Sequence, residues 1–251
     1  KTTQDQAATE VPITYVEQHV QRGTGDAVGV ALTAFGDELD GEDDLLILPG
    51  DAPLLRAETL AAVAREHREA DAAATVLTAR VDDPTGYGRI VRDEAGVLTE
   101  IAEHADADPL TRAIDEVNTS IYCFRRGLLA PALRRLSPEN SQGEYYLTDA
   151  LAVLREAGHR VVAVEVPDAS EAMGVNDRAQ LADAEAGLRL RINEAWMREG
   201  VTMVDPTTTY VDVTVDLAHD VRLLPGTILE GRTVVGAHSV IGPHSRLVDT
   251  V

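Results

Sequence analysis

A strict six-residue period near the C-terminus limits this chain more than any other feature. Leu223, Leu229, Val235, Ile241 and Leu247 recur at every sixth position. Four residues after each of the first four come Thr227, Thr233, Ser239 and Ser245, so a column of small side chains runs in phase with the aliphatic one. An amphipathic helix repeats at about 3.6 residues and a half-buried strand at about 2, and neither produces this phase lock. A period of six fits a hexapeptide solenoid, in which each segment forms one side of a triangular coil. The aliphatic column then points inward and stacks, and the small residues fit the tight corners. A repeat stack needs a cap or further repeats at its end. The expectation is that the polypeptide continues past Val251.

Upstream of the repeat the texture is different. Residues 45–48 form an unbroken apolar run ending at Pro49, Gly50 and Asp51, the pattern of a central parallel strand buried on both faces. Strand patterns follow over residues 73–81, 88–91, 97–101, 117–124 and 160–166. Helical patterns occupy residues 58–70, 128–136 and 145–156. Alternation of this kind predicts an α/β sheet with helices on its faces. Between the two regions, Leu181, Ala184, Leu188, Ile192 and Ala195 fall at three- and four-residue steps. Asn176 is placed to cap this helix and Gly200 to end it. The division expected is residues 1–176 for the α/β domain, 177–200 for a linker helix and 201–251 for the solenoid.

Composition removes several function classes. The formal net charge is −21, with Lys1 the only lysine. A polyanion would be repelled by such a chain, which argues against a nucleic-acid partner. The plainest reading of the acidity is solubility. No apolar run is long enough to cross a bilayer, so no membrane association is expected. The single cysteine, Cys123, excludes a disulfide framework within the chain and suits a reducing cytoplasm. It reads as a buried strand residue rather than a nucleophile. Phosphate-loop lysine motifs, Cys-x-x-Cys, His-Glu-x-x-His and Gly-x-Ser-x-Gly patterns are all missing. His238 and His244 could face each other across one coil as a metal site, but solvent-facing side chains are the simpler reading.

Three segments carry candidate chemistry. Asp51 sits just past a strand, where open α/β sheets bind ligands. It is either one of the few protein ligands that Mg²⁺ takes beside substrate phosphates, or a residue shaping the turn before Pro53. Gly23, Thr24 and Gly25 would let backbone approach a ring or a phosphate closely, or form an ordinary loop. Asp83, Pro84, Thr85, Gly86, Tyr87, Gly88 and Arg89 hold two glycines around an aromatic, and a tight turn explains them equally well.

Taken in order, these segments resemble the bifunctional GlmU family, whose members have N-acetylglucosamine-1-phosphate uridyltransferase and glucosamine-1-phosphate acetyltransferase activities. The matching runs are Gln18-x-x-x-x-Gly23-Thr24-Gly25, Pro49-Gly50-Asp51, and Asp82-Asp-Pro-Thr-Gly-Tyr-Gly-Arg-Ile90. Glu103-His104 with Asp106, Glu116-Val-Asn118-Thr119, Gln142-Gly-Glu-Tyr-Tyr-Leu-Thr-Asp149 and Gly174-Val-Asn176 then follow. The likeness spans the chain from about residue 11. It implies a Rossmann-like nucleotidyltransferase domain, a connecting helix and the start of a left-handed parallel β-helix.

It further implies that Gln18, Gly23 and Thr24 contact the uracil of UTP. Gly86, Glu103 and Asn118 would contact the sugar and ribose of UDP-N-acetylglucosamine, Asn176 would also contact the nucleotide substrate, and Asp51 and Asn176 would hold Mg²⁺. N-acetylglucosamine 1-phosphate is then the co-substrate, acetyl-CoA serves the acetyltransferase half, and the complete protein is a cytoplasmic homotrimer. Family members open with a strand and a Gly-rich loop near a lysine that cradles the triphosphate, and no such segment is present here. Pro49 and Asp177 also differ from the residues usual in the family. The resemblance therefore implies an internal fragment in which neither activity is complete. Two other readings are a nucleotidyltransferase for another hexose 1-phosphate and a non-catalytic regulatory subunit paired with a catalytic homologue.

Overall fold

The structure is a computed structural model and describes residues 13–35 and 43–251. The first residues of the stretch expected to resemble the family, from residue 11, lie outside the described part. The chain forms two compact units. The first is built mainly from residues 55–173 with the chain up to Gly50, and the second from residues 51–54 and 174–251.

The first unit is a mixed sheet with helices on both faces. Its strands are β1 (Asp44–Ile47), β2 (Ala74–Arg80), β3 (Arg89–Arg92), β4 (Leu98–Ala102), β5 (Glu116–Arg125) and β6 (Val161–Glu165). Its helices are α1 (Thr24–Leu32), α2 (Ala57–Glu69), α3 (Pro109–Arg112), α4 (Arg126–Leu133) and α5 (Asp149–Glu156). The strands run in the order β4-β3-β5-β2-β6, and β1 also pairs with β5. Only β2 and β6 are parallel; β5 is antiparallel to β1, β2 and β3. Side chains alternate across the sheet as the pleat requires. Val76, Tyr122 and Phe124 join Leu129, Leu151 and Leu154 in one core. Leu77, Val117, Ile121 and Cys123 join Val63 in the other. Burial pushes the Cys123 thiol up to about 12, so it stays protonated and serves as packing.

The apolar run at residues 45–48 departs from its expected place. It pairs antiparallel with β5, and Leu46 and Leu48 are 43% and 44% exposed. Among the described residues β1 has one strand neighbour, and Leu46 within it and Leu48 just past it, two residues apart on one face, stay exposed. The strand buried on both faces is β2, whose residues from Ala74 to Ala79 are all buried. The helix expected over residues 145–156 begins only at Asp149; residues 145–146 lie outside regular structure and 147–148 form a turn, with Thr148 in the right-handed helical region, and this stretch is bonded elsewhere, as described below.

The second unit begins with α6 (Arg178–Arg198). Short strands follow: β7 (Thr202–Met203), β8 (Tyr210–Val211), β9 (Asp216–Leu217), β10 (Arg222–Leu223), β11 (Ile228–Glu230), β12 (Val234–Val235), β13 (Val240–Ile241) and β14 (Arg246–Val248). They form three parallel sheets, β13-β10-β7, β14-β11-β8 and β12-β9. From Asp216 onward, paired residues lie 18 apart, as with Arg222 and Val240, Ile228 and Arg246, and Asp216 and Val234. Three six-residue segments therefore bring the chain back to the same sheet. Leu223, Leu229 and Val235 are buried with Val211 and Leu217. In the small column Thr227 and Thr233 are fully enclosed, and Ser239 and Ser245 are half-buried. Each of the two threonine hydroxyls donates to a carbonyl three residues back, Leu224 O and Glu230 O, both at 2.7 Å. Threonine fits there because it fills the space and satisfies a carbonyl at the bend. Ile192, Trp196 and Met197 of α6 pack against the first repeats. Asn193 Nδ2 donates to Pro206 O and Thr209 O, both at 2.9 Å.

The helix starts one residue later than expected. Asp177, not Asn176, is the N-cap: its carboxylate accepts from Gln180 N, and Gln180 Oε1 accepts from Asp177 N in return. The Asp177-x-x-Gln180 spacing meets the reciprocal capping box, which Asn176-x-x-Ala179 cannot form.

Candidate active site

In the first unit, six sequence-predicted residues fall on four segments. Glu103 follows β4, and its carboxyl is half-buried. Thr148 Oγ1 donates to Glu103 Oε1 at 3.0 Å. A Cβ at position 88 would lie 3.3 Å from Glu103 Oε2, so the glycine there leaves room for the carboxyl. Gly88 O in turn accepts from Asn118 N at 2.8 Å. Glu103, Gly88 and Asn118 are thus neighbours.

Asn118 is buried on β5. Its Nδ2 donates to Tyr122 Oη at 2.8 Å, and its Oδ1 accepts from Ser120 N at 3.1 Å. Just beyond it, Ser120 adopts φ 61°, and the β2–β5 register shifts between Val76 and Thr78. This bulge re-aims the residues around Asn118, a common device beside functional sites. Burial holds the Glu103 carboxyl above the usual carboxylate range, opposed by the Thr148 hydrogen bond and reinforced by Asp149 and Asp106. Gly86 is exposed at φ 88° in the turn closed by Tyr87 N to Pro84 O at 3.2 Å. Asp83 Oδ1 accepts from Thr85 N at 3.0 Å to shape the same turn.

Gln18, Gly23 and Thr24 lie before and at the start of α1. Gln18 Nε2 donates to Asp26 Oδ2 at 2.7 Å. The close backbone approach at Gly23 is to the protein itself. At φ 106°, a Cβ there would meet Tyr145 O at 2.6 Å, which leaves glycine as the residue that fits. Gly25 N donates to Tyr145 O and Tyr145 N to Arg22 O, both at 2.8 Å; Leu147 N donates to Thr24 Oγ1 at 3.0 Å. Residues 145–148 therefore tie the Gly23 loop at one end and the Glu103 carboxyl at the other. Thr148 and Leu147 escaped the sequence reading as positioning residues. The helical pattern over 145–156 concealed them, because the strap depends on partners 123 and 45 residues away in the chain, Thr24 and Glu103.

In the second unit, Asp51 lies against Gly174 and Val175, the residues that precede Asn176 in the chain. Val175 N donates to Asp51 O at 2.9 Å, and a Cβ at Gly174 would lie 3.0 Å from Asp51 Oδ2. Residues 51–54 are held by α6: Arg191 Nη1 donates to Leu54 O at 2.6 Å, and a Cβ at Gly187 would touch Leu54 Cδ1 at 3.2 Å. The Asp51 and Asn176 side chains are both exposed. Because Asp177 takes the helix cap, the Asn176 carboxamide is spared that task. One carboxylate and one carboxamide supply the oxygen donors that a hard divalent cation takes in small number beside phosphate and water. The donor set fits Mg²⁺.

The fold and these segments define a class before they define a reaction. The sequence profile of the Nucleotidyl transferase family matches residues 1–197, and the chain belongs to that family. Among curated relatives, the "Bifunctional protein GlmU" of Brevibacillus brevis is 48% identical over 237 residues, covering 94% of this chain and 51% of its own length. The proteins of the same name from Thermobifida fusca and Streptomyces coelicolor are 49% and 50% identical over 234 residues each, 93% of this chain and 48% of theirs. The chain spans about half the length of the curated relatives it matches. Among the described residues, no helix is long and apolar enough to cross a membrane.

Proposed function

We infer that this chain carries the uridyltransferase part of a GlmU-type enzyme, which transfers UMP from UTP to N-acetylglucosamine 1-phosphate and releases pyrophosphate. The observation that carries this reading is the strap at residues 145–148, which joins the Gly23 loop to the Glu103–Asn118 cluster. Two groups of residues assigned to different halves of one nucleotide sugar share a single support. Gln18, Gly23 and Thr24 receive the uracil. Gly86, Glu103 and Asn118 receive the N-acetylglucosamine and ribose. A carboxyl that burial shifts toward its neutral form can bond a sugar hydroxyl or amide with less repulsion of the nearby phosphates.

Asp51 and Asn176 would hold Mg²⁺, which when bound neutralises charge on the phosphates. The nucleophile is the phosphate oxygen of the sugar 1-phosphate. It forms a bond to the α-phosphorus of UTP as the bond to pyrophosphate breaks. The nucleophile is already anionic, so the residues need to orient and hold rather than remove a proton. This accounts for a site without a Ser-His-Asp constellation.

The rest of the assignment follows the same relatives. Residues 1–176 are the uridyltransferase domain, 177–200 the linker helix and 201–251 the first coils of a left-handed β-helix. The 18-residue return of the parallel strands supports the last. The whole protein is inferred to use acetyl-CoA to acetylate glucosamine 1-phosphate, to assemble as a homotrimer and to work in the cytoplasm.

Titration calorimetry of the chain with UDP-N-acetylglucosamine and UDP-glucose, with and without Mg²⁺, tests the reading. The N-acetylated sugar is expected to bind more tightly, and Asp51→Ala to remove the dependence on Mg²⁺. Preference for UDP-glucose would turn the assignment to another hexose. Unaltered Mg²⁺ dependence in Asp51→Ala would refute the metal ligand.

A further inference from the structure

The corners of the repeat hold a cluster that the nucleotide chemistry does not use. From Asp216 onward, residues 18 apart stack on one another at the bends. At two corners the lower residue is glycine. Gly226 lies beneath His244 and Gly231 beneath Asp249, so close that a Cβ at either glycine would collide with the side chain above. The glycine opens the space that the upper side chain fills. The third corner breaks this pattern. Asp220 stands where a glycine would be, and His238 lies above it, with φ 60° and 62° respectively. His219 occupies the same bend, and its carbonyl accepts from His238 N at 3.4 Å.

The three side chains converge. His238 Nδ1 lies 3.7 Å from Asp220 Oδ2, and the His219 and His238 rings are 5.4 Å apart between centroids. One ligand atom from each residue lies within 4.8 Å of the other two, and no other trio of this kind exists among the described residues. We propose that His219, Asp220 and His238 form a zinc-class divalent metal site linking two successive repeats.

The donor chemistry selects the ion. Two imidazole nitrogens and one carboxylate oxygen match the three-ligand zinc sites that leave a fourth position to water, whereas Mg²⁺ prefers oxygen donors. Tetrahedral bonds of about 2.0–2.1 Å set ligand atoms roughly 3.3 Å apart. The Asp220–His238 separation is already near that value. The remaining closure is a rotation of exposed side chains, since all three residues are solvent-facing. His219 and Asp220 belong to one repeat and His238 to the next, so the ion would tie them together. An ion bound only by the folded state stabilises it by mass action.

The test uses the full chain, stripped with chelator and dialysed against Zn²⁺, followed by metal analysis and thermal melting. The parent chain is expected to retain one Zn²⁺ and to melt at higher temperature with Zn²⁺ than without, and Mg²⁺ to give no such rise. Co²⁺ should give a visible absorption band on binding. His238→Asn and Asp220→Asn keep residues that tolerate the left-handed backbone, so loss of metal in a variant with unchanged circular dichroism isolates the ligand. Both are expected to lose the stoichiometric ion, as is His219→Gln. His244→Ala and Asp51→Ala are expected to retain it, which separates this site from the Mg²⁺ assignment. Failure of the parent chain to retain Zn²⁺, or equal retention by His238→Asn, overturns the proposal.

Discussion

Glu103 joins positioning and electrostatics in one side chain. Burial favours its neutral form, Thr148 Oγ1 holds one oxygen, and the absence of a side chain at Gly88 leaves space beside the other. Unfolded, the carboxyl titrates near its ordinary value of 4.5; folded, it titrates higher. Between those values the folded chain holds more protons than the unfolded chain. This group's contribution to stability therefore falls as pH rises through that interval and is constant above it. Glu103→Gln removes the titration while keeping an oxygen for Thr148. Its melting temperature is expected to exceed the parent's at neutral pH, with the gap opening as pH rises from about 4. Melting curves across pH check this; a gap that widens on acidification contradicts it. Asp149, also raised by burial, is common to both proteins and cancels in the difference.

At the scale of elements, the N-terminus of α6 follows the segment that carries Asn176. Asp177 accepts from Gln180 N at 2.8 Å, and Gln180 Oε1 accepts from Asn176 N at 2.6 Å. Asp177→Ala is expected to cost about 1 kcal/mol in urea denaturation, and Asp177→Asn a small part of that. A null effect of the alanine would mean that packing of α6 on Leu54 and the repeat holds its first turn without the cap. The cap also illustrates what the sequence can disclose. The Asp177-x-x-Gln180 spacing is legible in principle, but a neighbouring asparagine competes for the same role until the reciprocal bond is seen. The six-residue period was fully legible, because every inward position repeats the same requirement and Leu223, Leu229 and Val235 meet it. The run at residues 45–48 does not disclose its place, because four apolar residues look alike on an edge and in a sheet centre. The run containing residues 145–148 stands out by resemblance, but its role as a strap and the bulge at Ser120 do not, since both are fixed by partners distant in sequence. Among the candidate site residues, Glu103 and Asn118 rest on the resemblance, whereas Asp51 is also marked by its place just past a strand.

At the scale of the whole molecule, charge is the dominant feature. Acidic residues number 43 and basic residues 22, which gives the net −21. Some of the arginines are engaged locally, as with Arg92 on Glu116 and Arg246 on Glu230. Exposed pairs of the second kind contribute from about 0 to 1 kcal/mol each and weaken in salt. Repulsion among the excess carboxylates opposes the compact state, and it too is screened, over a distance that shrinks from about 30 Å at 0.01 M to about 3 Å at 1 M. The two effects have opposite signs. Favourable pairs lie at short range, inside the screening length even at moderate salt, whereas the repulsion is summed over long distances and is screened first. Added monovalent salt is therefore expected to raise the melting temperature from low ionic strength to about 0.2 M, with little change beyond. Thermal melts in sodium chloride at fixed pH measure this directly. A steady fall over the same range would mean that the arginine pairs, not the acidic excess, govern how this chain responds to its ionic surroundings.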